Sequence, residues 1–207
     1  DPPNHQAANS FDCGAIVVGD LIYIADVATT IVGFPPIFNV YFHIFNTLTN
    51  TFSANSSLGP QVGSAASGSS LSSLNDGKIV FTKDVNTLFG PPGAPKYILV
   101  VYDPSFDTWD AAVTIHSDLS KTVKQIHDPG SDLTFIFYYL NAGVSPPAGN
   151  TDCKCITFDA GLNAFTDTLV FSRAAGLANS QTGIPSLCGG EIILPYSVGS
   201  PFPAPLY

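Results

Sequence analysis

Phe45-Asn46-Thr47-Leu48-Thr49-Asn50-Thr51-Phe52 is the first of three related eight-residue stretches in this chain. The other two are Tyr102-Asp103-Pro104-Ser105-Phe106-Asp107-Thr108-Trp109 and Phe158-Asp159-Ala160-Gly161-Leu162-Asn163-Ala164-Phe165. Each begins and ends with an aromatic residue, has Asn or Asp at its second and sixth positions, and has a small residue at its seventh. Successive copies begin 57 and 56 residues apart. A fixed period of this length is typical of stacked or radially arranged supersecondary units.

This stretch, which we call the aromatic octapeptide, has the features of a hairpin connection. Its first aromatic residue closes an apolar strand, and its last one, Trp109 in the second copy, begins the next strand and is expected to pack back against the sheet. The Asn and Asp residues bond to the nearby backbone and tolerate a left-handed φ, as tight turns require. We therefore predict a β-hairpin at each copy. The residues of this structural motif are Phe45, Asn50, Phe52, Tyr102, Asp103, Asp107, Trp109, Phe158, Asp159, Asn163 and Phe165.

The composition favours an all-β protein. Glu191 is the only glutamate, Met is absent, and Lys and Arg together number seven, so several strong helix formers are scarce. Val, Ile, Phe, Tyr and Thr are plentiful, as strands require, and 18 Gly and 17 Pro separate short apolar runs. Charged residues make up only 11% of the 207 residues, against about 25% in an average soluble domain. The polar surface must therefore come largely from Ser, Thr, Asn and Gly.

The repeat extends well beyond the octapeptide. Each unit begins with a turn-prone pair and an apolar strand, continues through a Pro-rich loop and a second strand, and then enters the octapeptide. Four strands in a unit of this size are typical of a β-propeller blade. The repeats run approximately over residues 19–75, 76–131 and 132–188, with a partial copy over 189–207. We predict a single propeller or propeller segment over residues 1–207, with a β-sandwich as the alternative.

The octapeptide from Tyr102 to Trp109 resembles the signature of the kelch-repeat family, and the copies at Phe45 and Phe158 resemble it more weakly. The resemblance covers roughly residues 17–200 and implies four-stranded propeller blades. Kelch blades usually carry a Gly-Gly doublet after the upstream strand, which this chain lacks. In its place stand Ala25-Asp26, Lys83-Asp84, Tyr139-Leu140 and Tyr196-Ser197. Some kelch-type propellers are copper radical oxidases, but no matching set of Tyr, His and Cys ligands can be assigned here.

The charge pattern bears on partners and location. The net charge is −9 and the seven basic residues are scattered, so the electrostatic footprint of nucleic-acid binding is missing. The longest apolar run, Val17 to Val32, contains Asp20 and Asp26, so we expect no membrane span. A chain beginning at Asp1 resembles a processed product, as after removal of a secretory signal. We expect a secreted or extracellular location, or one on a virion or cell surface.

The four cysteines, Cys13, Cys153, Cys155 and Cys188, are an even number, which suits an oxidising compartment and predicts disulfides. Cys153 and Cys155 alternate on one strand, so a bond between them would be strained and separate partners are expected. Cys13 pairs with Cys188, or each pairs with one of the other two. The Asn55-Ser56-Ser57 tripeptide is the only N-glycosylation sequon.

Residue patterns for catalysis or metal binding are missing from the sequence. The four histidines share no metal-ligand spacing, and neither a nucleophile elbow nor a nucleotide-binding motif occurs. His43 alternates with Phe42 and Ile44, so we expect it to face solvent or to be hydrogen-bonded within the protein. Asp26, Asp84 and Asp128 are interpreted as turn formers of the repeat loops, with the lining of a channel mouth as the alternative. We predict no catalytic, cofactor-binding or metal site and no cofactor.

The Pro-rich loops are the candidate interaction surface, because propellers usually bind partners through repeated loops on one face. These loops carry aromatic residues and almost no charge, which favours protein contacts. We predict a non-catalytic structural or interaction module in which a further chain or subunit, self or other, completes the repeat. A carbohydrate-binding propeller is the alternative, and a propeller-scaffold oxidase or hydrolase is the second. The loop residues are Phe34, Pro35, Pro36, Phe89, Pro91, Pro92, Pro146, Pro147 and Phe202.

Overall fold

The computed structural model describes residues 14–31, 37–53, 55–62, 69–84, 97–111, 113–116, 120–140, 152–162, 164–171, 181–182 and 184–197. Within these ranges every regular element is a β-strand and all strand pairs are antiparallel, which confirms the all-β prediction. No helix in the described part of the chain is long and apolar enough to cross a membrane. The chain divides into two compact units, Asp1–Ser117 and Asp118–Tyr207.

The first unit contains two sheets. The first sheet has the strand order β1 (Gly14–Val18), β2 (Leu21–Ile31), β3 (Ile37–Asn46) and β4 (Thr51–Phe52), and β5 (Ser56–Val62) also pairs with β3. The second sheet contains β6 (Ser69–Ser73), β7 (Ile79–Asp84) and β8 (Tyr97–Asp103), and both β9 (Thr108–Trp109) and β10 (Val113–His116) pair with β8. Except for β5 and β10, the strands that pair in these two sheets are consecutive in the chain.

The second unit contains a third sheet with the same meander. Its strands are β11 (Ser120–Asp128), β12 (Leu133–Leu140), β13 (Asp152–Asp159) and β14 (Ala164–Phe171). Four shorter strands follow, in which β15 (Gln181–Thr182) pairs with β18 (Tyr196–Ser197) and β16 (Ser186–Cys188) pairs with β17 (Glu191–Ile193). The three longer sheets therefore repeat one arrangement of strands.

The sheets and the sequence repeats are offset by one strand. β1 lies before residue 19, β6 before residue 76 and β11 before residue 132, which are the approximate starts of the sequence repeats. The strand that ends one sequence repeat is therefore the first strand of the following sheet. This offset links successive repeats through backbone hydrogen bonds as well as through side-chain packing.

Strand register identifies equivalent positions in the three sheets. The first aromatic residue of the octapeptide pairs with Ile22 in the first sheet, Ile79 in the second and Thr134 in the third. Counted from these partner residues, the third and the fourth residue further along the same strand are buried in every sheet. The third and the fourth residue point to opposite faces of the sheet. Each sheet is therefore covered on both faces at this level. The two sets are Ala25, Thr82, Phe137 and Asp26, Lys83, Tyr138.

The main core of the first unit lies between its two sheets, which meet through faces that are not equivalent. The first sheet contributes the face that carries Tyr23 and Phe42, whereas the second contributes the face that carries Ile79 and Tyr102. Ile79 is the equivalent of Ile22, which neighbours Tyr23 and points to the opposite face. The front of one sheet thus packs against the back of the next.

Aromatic side chains fill this interface. The Phe42 ring lies 5.1 Å from that of Tyr102 and 4.6 Å from that of Trp109, and Tyr23 lies 6.0 Å from Tyr102. Lys83 is fully buried at the same interface, with its Nζ 6.0 Å from the centre of the Phe38 ring. The edge-to-face and tilted contacts between the aromatic rings add to the stabilisation that apolar burial provides.

Candidate functional site

The octapeptide forms a hairpin in each sheet, and its polar residues hold the turn. Asn46 Oδ1 accepts the backbone N–H of Leu48 at 2.9 Å, and Asp159 Oδ1 accepts that of Leu162 at 3.0 Å. In the second copy Asp103 does the same for Ser105 at 2.9 Å. The sixth position takes a left-handed φ, 56° at Asn50 and 51° at Asp107, whereas Asn163 lies outside the described residues. Asn and Asp suit this conformation because their short side chains hydrogen-bond locally.

The second octapeptide also connects the two sheets of the first unit through a chain of hydrogen bonds. Trp109 Nε1 donates to Ser56 Oγ in β5 at 2.7 Å, and Ser56 is hydrogen-bonded to the Tyr102 hydroxyl. That hydroxyl donates in turn to Asp107 Oδ1 at 2.9 Å. Burial, together with the bond to Asp107, raises the pKa of Tyr102 well above its ordinary value. Trp109 therefore packs and donates within the protein.

Each octapeptide turn presents one large apolar side chain to solvent. Leu48, Phe106 and Leu162 are 75%, 76% and 77% exposed, although they lie between residues that anchor the turn. The last aromatic residues of the first and third copies, Phe52 and Phe165, are 37% and 41% exposed. An exposed apolar residue thus recurs at the hairpin tip of each of the three sheets, at the fourth position of the first octapeptide and at the fifth position of the other two.

The turns of the first and second sheets lie along one edge of the first unit. The backbone N–H and the hydroxyl of Thr47 both donate to the carbonyl oxygen of Asp20, at 2.9 Å each. In the second sheet Gly77 adjoins Val18, since a Cβ added at Gly77 would lie 3.9 Å from Val18 Cγ1. We call this the turn edge, and it comprises Gly19–Asp20, Asn46–Asn50, Asn75–Lys78 and Asp103–Asp110.

The turn edge is acidic. It carries five aspartates, Asp20, Asp76, Asp103, Asp107 and Asp110, against the single basic residue Lys78. Lys78 Nζ lies 2.8 Å from Asp76 Oδ2, so its charge is already paired. Burial opposes ionisation of Asp76, but the hydrogen bond and charge of Lys78 outweigh it and lower the pKa of Asp76. The same pair raises the pKa of Lys78.

The third sheet has turns of the same chemistry in the second unit. The Ser131 hydroxyl donates to Asp128 Oδ2 at 2.6 Å and the Gly130 N–H donates to Asp128 Oδ1 at 3.1 Å. These bonds hold the pKa of Asp128 below its ordinary value. His127 Nε2 lies 3.4 Å from Asp132 Oδ1, and Asp132 has a left-handed φ of 56°. The prediction that Asp128 is a turn former is therefore confirmed.

A polar group is buried on the face of the first sheet that points away from the second. His43 Nε2 lies 3.2 Å from Asp26 Oδ2, and His43 Nδ1 lies 2.8 Å from Asn55 Oδ1. The side chains of His43 and Asp26 are only 3% and 4% exposed. His43 is thus hydrogen-bonded within the protein, as one of the two alternatives expected. The interpretation of Asp26 as a turn former is wrong, because Asp26 lies within β2 and its burial comes from the sheet.

This group resembles a catalytic dyad only in part. A carboxylate that orients a histidine is a common element of nucleophilic sites, where the other ring nitrogen activates a hydroxyl or thiol. Here the other ring nitrogen contacts the amide oxygen of Asn55. The arrangement joins β2, β3 and the segment before β5, and we interpret it as a structural polar core. Asn55, the residue of the glycosylation sequon, is half-buried in it.

The predicted cysteine chemistry is not seen among the described residues. Cys153 and Cys155 are buried on β13, Cys188 is exposed beside the β16–β17 turn, and no disulfide joins any two of these three residues. Cys13 lies outside the described residues, so its pairing stays a prediction. The candidate interaction loops also lie outside them, and their role stays a prediction. These loop residues are Phe34, Pro35, Pro36, Phe89, Pro91, Pro92, Pro146, Pro147 and Phe202.

A set of metal ligands, or similarity to a known protein, would indicate an activity. Across the part of the chain that the structure describes, no three His, Cys, Asp or Glu residues come together as a set of metal ligands. The chain matches no protein-family model, and comparison with curated proteins and with solved structures finds no match.

Proposed function

We propose that this protein is a non-catalytic structural and interaction module, secreted or surface-exposed, built from kelch-like propeller blades. In this proposal the sheets continue, front to back, into a larger assembly. The observation that carries it is the packing of the first sheet against the second through non-equivalent faces. A β-sandwich of two similar sheets related by a two-fold axis would pair equivalent faces instead.

Front-to-back packing has a structural consequence. A heterologous interface leaves one face of its kind at each end of an array, so the array either closes into a ring or continues through another subunit. The face of the first sheet that carries Ile24 and Asp26 is equivalent to the face that the second sheet presents to the first. Asp26 and His43 are already buried on this face, but Ile22 and Ile24 are only partly buried, so a further sheet would pack against that part of the face. A second copy of this chain is the simplest source of one.

The environment of Trp109 gives little support to the carbohydrate-binding alternative, in which this residue would stack on a sugar. A sugar-stacking tryptophan must present a ring face to the ligand. The Trp109 ring instead lies 4.6 Å from Phe42 and 4.8 Å from Tyr102, and its N–H is bonded to Ser56. Trp109 is thus committed to the interface between the sheets, in line with the packing role expected from the octapeptide.

Light scattering of the purified chain between about 1 and 100 μM tests the proposal, since weak interfaces form in this range. We expect a mass above the 21.7 kDa of one chain that rises with concentration. Ile24→Glu, on the outward face of the first sheet, should reduce the mass toward that of one chain. Thr51→Glu, at an exposed position, is the matched control. A compact single chain throughout the range would contradict assembly through this face.

A further inference from the structure

The exposed apolar residues at the octapeptide tips differ from scattered apolar surface residues because they recur in each copy of the turn. Single exposed apolar side chains are ordinary on soluble proteins. Here one large apolar residue recurs at the tip of each octapeptide turn, as Leu48, Phe106 and Leu162. The residues around the tips vary among Thr, Pro, Ser, Ala and Gly, so the apolar character is kept while its surroundings change.

The turns do not need these side chains. Two of the three tip residues contribute to their turn through the backbone, since the N–H groups of Leu48 and Leu162 donate to Asn46 and Asp159. Small polar residues suit such turn positions and would expose less apolar surface to water than Leu or Phe does. The tip side chains are therefore available for contact with a partner.

The surroundings of the tips indicate what kind of partner fits. In the first unit Leu48 and Phe106 share the turn edge with five aspartates, and its one lysine is paired with Asp76. A surface of this kind repels nucleic acid and anionic lipid, and it attracts cationic groups over distances of several ångströms. Apolar tips among carboxylates are complementary to a chain that carries apolar side chains among basic ones.

We propose that the turn edge of the first unit docks a basic protein segment in which apolar side chains alternate with Lys or Arg. Leu48 and Phe106 supply the apolar contacts, and Asp20, Asp103 and Asp110 supply the charge. This inference rests on the interaction role in the proposed function, but it uses a different surface from the sheet face. The third sheet has a similar turn in the second unit, where the N–H of the exposed Leu162 donates to Asp159, the residue that pairs with Leu133 directly after the turn from Asp128 to Asp132.

Fluorescence anisotropy with a labelled synthetic peptide of alternating Lys and Leu tests this docking, at about 150 mM salt so that weak surface attraction is screened. The double variant Leu48→Ser/Phe106→Ser should weaken binding by about tenfold or more, because apolar anchors dominate such interfaces. Ile184→Ser is the matched control, since Ile184 is also 76% exposed but lies outside the turn edge. It should bind as the wild type does.

The charge contribution is tested separately. Asp20→Asn/Asp110→Asn should weaken binding by about threefold or more and reduce its salt dependence. The turns should survive, because Asp20 contributes its backbone carbonyl and Asp110 its backbone N–H. Trp109 fluorescence and the urea midpoint of every variant should match the wild type, which shows that the fold is retained.

Three results would overturn the inference. One is unchanged peptide binding by the double serine variant, or an equal loss in Ile184→Ser. Another is equally tight binding of a Lys/Ser peptide, which would show that charge alone suffices. The third is binding to phosphatidylcholine vesicles that the double serine variant abolishes, which would assign the tips to lipid. Light scattering separates this inference from the proposed function, because the double serine variant should assemble as the wild type does.

Discussion

Trp109 shows at the residue scale what the octapeptide does. Its position in the motif predicted a packing role, and its ring does pack against Phe42 and Tyr102. Its hydrogen bond to Ser56 could not be predicted, because the two residues are 53 positions apart and belong to different sheets. A hydroxyl among many serines carries no local signal of such a partner. His43 and Asp26 were missed as a pair for the same reason.

Buried tyrosines make stability sensitive to alkaline pH. Burial raises the pKa of both Tyr102 and Tyr23 above the ordinary value of 10.0, and the nearby Asp107 adds to both shifts. The folded protein then keeps protons that the unfolded chain releases. The resulting stabilisation is complete below about pH 10 and is lost as the pH rises further.

We therefore expect the free energy of unfolding in urea to fall more steeply above about pH 10 than below it. Tyr102→Phe removes one of the two groups, so its stability should fall less steeply over the same range. Unfolding curves recorded from about pH 8 to about pH 11 check this. Parallel pH profiles for the wild type and Tyr102→Phe would contradict it.

At the scale of elements, strand content and hairpins followed from local pattern, whereas sheet boundaries did not. Alternating apolar residues and octapeptide turns are short-range signals, so both could be recognised in the sequence. The offset between sequence repeats and sheets depends on which neighbour each strand pairs with. The segment that became β6 carries mainly serine, and only its pairing with β7 assigns it to the second sheet.

Asn50 tests the turn conformation directly. Its φ of 56° lies in the left-handed region, which β-branched residues rarely adopt. Asn50→Val should destabilise the protein by about 1–2 kcal/mol, whereas Asn50→Gly should change stability by less than about 0.5 kcal/mol because Gly takes this φ freely. Urea unfolding of both variants checks the prediction. Equal stabilities for the Val and Gly variants would show that the turn does not depend on this conformation.

At the scale of the whole molecule, the two compact units are expected to respond separately to damage in the core. Phe42 is fully buried between the first two sheets and contacts four other aromatic rings there. Among the described residues, the core cluster that contains it is formed by residues of the first unit. Loss of its side chain should therefore be felt mainly in that unit.

Phe42→Ala should destabilise the first unit by about 3–5 kcal/mol, the usual cost of removing a buried phenylalanine. Hydrogen exchange should then accelerate throughout the first and second sheets, while β11 to β14 keep the protection of the wild type. Leu48→Ala, at an exposed tip, is the control and should leave both units unchanged. Equal acceleration in all three sheets would show that the chain unfolds as one cooperative unit.

The amino-acid sequence by itself determined the strand-rich composition, the period and the chemistry of the turns, because each depends on residues close together in the chain. Only the tertiary structure decided that non-equivalent faces meet, that Asp26 and His43 are buried together, and that acidic turns and apolar tips share an edge. Those outcomes depend on contacts between residues far apart in sequence. Their geometry is set by strand register and sheet packing, which no local pattern records.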